Sequence, residues 1–147
     1  MDYFTELFNN KALGVAVVAW FIAQLMKVIL TIILDKRFDM NRFVGSGGMP
    51  SSHTSTVMGL STAIGLMNGW DSTVYAISLT FALVVMYDAS GVRRAVGKQA
   101  AILNKMILEI YEHKHVGQDE LKELIGHTPF EVIAGAVLGI LIANIMV

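Results

Sequence analysis

The apolar residues of this chain fall into four long runs separated by polar segments. Residues 12–34 form a 23-residue apolar stretch interrupted only by Gln24, Lys27 and the mild Thr31. At 1.5 Å per residue this predicts a helix of about 34 Å, enough to cross a hydrocarbon core of about 30 Å. Acidic Asp2 and Glu6 precede it, where a secretory signal would carry a basic flank, so a retained span is expected. The second run, residues 53–69, carries Gly59, Ser61, Ala63 and Gly65, small residues that permit close helix packing in lipid. Asn68-Gly69-Trp70-Asp71 reads as a turn, with Trp70 suited to the membrane interface. Residues 72–87, extending to Ala89, form the third run. Residues 129–147, apolar except for Glu131 and Asn144, form the fourth.

Two further helices are expected between the third and fourth runs. Val92, Ala95, Val96, Ile102, Leu103, Met106, Ile107 and Ile110 recur at helical spacing, while Arg93, Arg94, Lys98, Lys105, Glu109 and Glu112 mostly take the other face. That pattern predicts an amphipathic helix of about six turns, lying on the membrane or against the bundle. A shorter helix is expected over residues 119–125, stopping at Gly126. The polar segment 35–52 has Gly45-Ser46-Gly47-Gly48 as its flexible part.

Composition sharpens this picture. The 147 residues are 54% hydrophobic and 16% charged, whereas a soluble domain carries about 45–50% apolar and about 25% charged residues. Residues 1–147 therefore read as a single membrane-embedded domain. It is expected to be an all-α integral membrane protein of about four transmembrane helices plus a cytoplasmic or interfacial amphipathic helix. A net charge of −1 supplies no global field for nucleic acid. The absence of Cys excludes a disulfide framework, a thiolate metal site and a Cys nucleophile.

Four spans put the first and third connections on one side. Nine of the eleven basic residues fall there: Lys36, Arg37, Arg42, Arg93, Arg94, Lys98, Lys105, Lys114 and Lys122. Lys27 lies within the first span and Lys11 on the opposite side. The positive-inside rule then makes that side cytoplasmic and puts both termini outside.

Three polar clusters gather on the same side. The first, Gly47-Gly48-Met49-Pro50-Ser51-Ser52-His53-Thr54-Ser55, is a Gly-rich loop entering a helix start. Free backbone N–H groups, Ser hydroxyls and the helix dipole there suit phosphate oxygens, with His53 in the first turn. A Ser N-cap on an ordinary membrane helix explains the same residues. The second, Tyr87-Asp88-Ala89-Ser90-Gly91-Val92-Arg93-Arg94, offers guanidinium forks for a phosphoryl group, or a basic flank touching anionic headgroups. The third, Gly126-His127-Thr128-Pro129-Phe130-Glu131, fits a capping box. It also fits a His–carboxylate pair in which Glu131 fixes the His127 tautomer and leaves the other nitrogen to attack. Spacing alone leaves both readings open. Lys27, a charge inside a span, faces the bundle or snorkels. A zinc site built from the two histidines with Asp88 and Glu131 is the remaining alternative; His113 and His115 form no i,i+4 pair.

Pro50-Ser51-Ser52-His53 and His127-x3-Glu131-Val132-x2-Gly135 resemble the motifs of the type 2 phosphatidic acid phosphatase superfamily, which includes bacterial acid phosphatases and vanadium haloperoxidases. More closely, Gly47–His53, Tyr87–Arg94 and Leu124–Pro129 resemble its divergent branch of small membrane proteins, from about Gln24 to the C-terminus. The resemblance implies that His127 is a nucleophile forming phosphohistidine, that Glu131 orients it, and that His53 is the general acid. It also implies that Ser51, Ser52 and Gly48 line the phosphate pocket. Three positions depart from the superfamily motifs: Ser52 stands for Gly, Glu131 for Asp, and Leu121 for the Arg six residues before the nucleophile. Nor does an Arg-Pro pair follow Lys27. The phosphate-binding cations are then expected among Lys27, Lys36, Arg37, Arg93 and Arg94, with Asp88 nearby.

The expected function is hydrolysis of a phosphomonoester or pyrophosphate on a membrane lipid, such as phosphatidylglycerophosphate or phosphatidate, through phosphohistidine. The scheme needs no metal or other cofactor. The expected partners are a lipid substrate and the bilayer, not nucleic acid, in a bacterial plasma membrane with a cytoplasmic active face; homo-oligomer formation stays open. The alternative is a non-catalytic lipid-phosphate-binding, scaffold or transport module.

Overall fold

The computed structural model describes residues 2–35, 48–111 and 127–147. Among the described residues there are six helices and no strand: α1 (Tyr3–Phe8), α2 (Lys11–Asp35), α3 (Ser52–Asn68), α4 (Thr73–Ser90), α5 (Val92–Tyr111) and α6 (Pro129–Met146). The apolar runs become α2, α3, α4 and α6, and the amphipathic pattern becomes α5. The helix expected over residues 119–125 lies outside the described residues, and α1 is an element the apolar pattern did not announce.

Helix α3 is the centre of the bundle, with α2, α4 and α6 packed around it and α2 also touching α6. Its buried residues are small or hydroxylated: Ser52, Thr54, Ser55, Val57, Gly59, Ser61, Thr62, Ala63 and Gly65. The apolar core is equally small-sided, built from Ala12, Val15, Ala19, Ala63, Ile142 and Ala143. Large apolar residues such as Phe21, Ile33, Ile77, Val84, Ile133 and Leu141 point outward. In water this distribution would forfeit the hydrophobic term. In lipid, burying Leu gains nothing over leaving it against acyl chains, and close backbone approach decides instead.

Two glycines show how close that approach is. A methyl on Gly135 would overlap the Ser51 carbonyl oxygen, and one on Gly139 would overlap the Ser55 carbonyl oxygen, so α6 lies directly on the α3 backbone. Hydroxyls join the remaining helices. Ser55 Oγ donates to the Ala19 carbonyl of α2 at 3.1 Å, and Ser78 Oγ of α4 donates to Ser61 Oγ at 3.2 Å.

Among the described residues three helices, where about four were expected, are long and apolar enough to cross a membrane: residues 11–33, 73–107 (α4 running on into α5) and 129–146. Helix α3, at 17 residues or about 25 Å, is shorter than the core of a bilayer and carries the hydroxyls that the other helices cover. The turn after it is the expected one. Gly69 adopts φ +89°, its N–H bonds the Gly65 carbonyl, and the Trp70 ring meets Tyr75 edge-on at 5.0 Å.

Candidate active site

The entrance to α3 is fixed from both sides. Gly48 takes φ +84°, a left-handed conformation natural to glycine, with its Cα side turned toward the Lys27 stem. Ser51 is the N-cap. Its Oγ accepts from the Thr54 N–H at 3.4 Å and from Thr54 Oγ1 at 3.1 Å, and its side chain is fully buried. The Ser51 N–H donates to the Glu131 carbonyl at 3.0 Å. That bond joins the start of α3 to the first turn of α6, two segments eighty positions apart in sequence.

Lys27 enters this corner from α2. It lies on the stripe Val15, Ala19, Ala23, Lys27, which the small residues press against α3, and only 2% of it is exposed. Its Nζ donates to Ser52 Oγ at 3.1 Å. A cation and the N-terminal end of a helix carry the same sign of potential, so packing one on the other concentrates positive potential at a single buried place. Such a place attracts anionic oxygen. Lys27 also sits eight residues, about 12 Å, before the end of α2 at Asp35, so this corner is recessed below that helix end.

The third cluster completes the corner. His127 is 3% exposed, and its N–H donates to the Ala89 carbonyl at the end of α4, at 3.1 Å. Its Nδ1 lies 3.0 Å from Glu131 Oε2, and the same oxygen accepts from the Thr128 N–H at 3.0 Å. Thr128 Oγ1 in turn accepts from the Glu131 N–H at 3.3 Å, closing a capping box with Pro129 in the first turn. One carboxylate oxygen of Glu131 therefore serves both the capping box and the contact with the His127 ring. With Nδ1–H directed at a carboxylate, the neutral imidazole carries its lone pair on Nε2.

Thus Gly48, Ser51, Ser52, Lys27, His127 and Glu131 come together at one end of the bundle, with Ala89 bringing in the end of α4. His53, the second residue of α3, is exposed, and Asp88 is half-buried in the last turn of α4. Arg37 lies outside the described residues, as do the side chains of Arg93 and Arg94, whose backbone opens α5. Among the described residues no three His, Asp or Glu side chains converge where a metal ion would sit. The sequence places Thr54 and Ser55 in the first polar cluster without a role for either, and both are buried. Sequence reasoning passed over the Ala89 and Glu131 carbonyls, which as backbone atoms leave no trace in residue type.

No solved structure matches the chain. The chain is similar to the uncharacterized membrane protein YuiD of Bacillus subtilis (strain 168), 37% identical over 152 aligned positions that cover 96% of each protein. Residues 8–142 match the divergent PAP2 family, a span that takes in Lys27, the α3 entrance and the His127–Glu131 turn. This chain is a membrane protein of the divergent PAP2 family.

Proposed function

We propose that this protein is a lipid phosphate phosphatase. Its substrate would be a phosphomonoester or pyrophosphate on a membrane-anchored lipid, with phosphatidylglycerophosphate and phosphatidate as candidates. The observation that carries the reading is the meeting of two things in one corner: a buried cation on a helix N-terminus, and a buried imidazole oriented by a carboxylate. The first suits a phosphate, and the second suits a nucleophile. Ser51 is assigned the helix cap, while Lys27, Ser52 and the α3 N-terminus receive the phosphate, with Gly48 shaping the loop above. Arg93, Arg94, Arg37 and Asp88 are proposed as further phosphate-binding residues.

In the first step His127 Nε2 attacks phosphorus and the bond to the leaving lipid oxygen breaks. A proton from the His53 imidazolium goes to that oxygen. In the second step His53 takes a proton from water, which attacks phosphorus and breaks the P–N bond, releasing inorganic phosphate. Glu131 stabilises the positive charge that develops on the His127 ring. The exposure of His53 suits a group that must meet both a leaving lipid and water. The recess of the corner below the end of α2 suits a substrate arriving sideways from the bilayer.

The test is phosphate release by the purified protein in vesicles against a panel of lipid phosphates, with and without chelator. At least one lipid should be hydrolysed, and His127→Ala should abolish the release. Saturable binding of lipid phosphate with no release from any member of the panel would favour a non-catalytic binding module instead.

A further inference from the structure

Helix α5 leaves the bundle after Gly91, whose N–H bonds the Tyr87 carbonyl at 2.8 Å and closes α4. Among the described elements α5 packs substantially only against α4, from which it emerges. Its apolar positions Val96, Ile102, Leu103 and Met106 are 43–56% exposed. Their number is more than a span requires. The helical stretch begun at Thr73 runs on to Ile107, 35 residues or about 52 Å of helix, against a core of about 30 Å that α4 nearly crosses alone. The surplus belongs outside the hydrocarbon interior.

Charge identifies what covers it. The α5 sequence carries Arg93, Arg94, Lys98 and Lys105 against the single acid Glu109, in a chain whose net charge is −1. A second copy laid along α5 would cover the apolar positions but bring two cationic helices together. An anionic lipid surface accepts both features, apolar side chains at the acyl boundary and cations among the headgroups. We infer that α5 is an in-plane anchor that docks on an anionic bilayer surface at the His127 end of the molecule. Because α5 begins three residues after Ala89, whose carbonyl holds the His127 N–H, docking also sets the depth at which that corner meets the headgroups.

The chain is free of Cys, so single probes are readily placed in the full-length protein. Leu103→Cys and Ala101→Cys, on opposite sides of the α5 register, would each carry an environment-sensitive fluorophore. The vesicles would be phosphatidylcholine alone or phosphatidylcholine mixed with phosphatidylglycerol. Docking predicts blue-shifted emission at position 103 and iodide quenching several-fold weaker in the anionic vesicles. It also predicts reversal by high salt or by Lys98→Gln with Lys105→Gln, and continued quenching at position 101. Equal quenching at 101 and 103 in anionic vesicles would overturn the inference. So would protection at 103 that ignores lipid charge, or that tracks protein-to-lipid ratio as a second copy would. Turnover is not measured, so failure here leaves the phosphatase reading standing, and an inactive protein leaves this inference standing.

Discussion

Glu131 serves two neighbours with one oxygen, accepting from the Thr128 N–H and facing His127 Nδ1 at 3.0 Å each. The cap and the orienting pair are separable by substitution. Glu131→Gln keeps an acceptor for the helix but removes the charge that stabilises an imidazolium. It should lower phosphate release on the order of 10²-fold with the thermal transition unchanged. Thr128→Ala should do the reverse, costing about 1 kcal/mol of stability through the lost cap with most of the rate retained. Rate and denaturation curves recorded side by side distinguish the two. Lys27 tests the anion corner. Lys27→Met keeps the stem against α3 and removes the charge, and a buried charge is seldom a net stabiliser. The variant should fold at least as well as the parent yet bind lipid phosphate on the order of 10–100-fold more weakly. Unchanged affinity in titrations would remove Lys27 from the site.

At the scale of elements, small residues rather than large ones hold the helices together. Gly139→Leu should force α6 off the Ser55 carbonyl and cost about 1–3 kcal/mol or more. Leu141→Ala, two positions on and facing lipid, should cost little, because the unfolded helix leaves that side chain in lipid too. Reversible unfolding in mixed micelles measures both. The helices themselves were legible in the sequence, since apolar length, a Ser cap before the second run, Thr128 as a cap and the Gly69 turn are all local signals, whereas the Ser72 cap was not singled out. The small residues of the second run foretold close packing as well. Helix α1 was not legible, because six residues are too few for a periodic pattern to stand out. Nor was the assembly of the corner. Lys27 finds Ser52 across 25 positions, and the bonds from Ser51 to Glu131 and from His127 to Ala89 run through backbone atoms. The sequence could name candidate residues, but the burial of Ser51 and Ser52 beside an exposed His53 follows from where the N-cap falls.

For the whole molecule, the distribution of residue sizes is that of a protein dissolved in lipid. We propose that the end gathering Lys27, Ser52 and His127 faces the cytoplasm, because a chain of four spans would carry nine of its eleven basic residues on that side. In intact cells, Asp71→Cys should therefore be labelled by an impermeant thiol reagent and Met49→Cys protected. The opposite pattern would turn the site outward, toward lipids of the outer leaflet. The central claim is narrower, that His127 carries the phosphoryl group between substrate and water. It is tested most directly by mixing the protein rapidly with a labelled lipid phosphate, denaturing in alkali and locating the label on the chain. The account predicts one acid-labile phosphoryl group per chain, on His127 and absent from His127→Ala. Phosphate released at the parent rate by a well-folded His127→Ala, with no label on the parent at any time point, would contradict it.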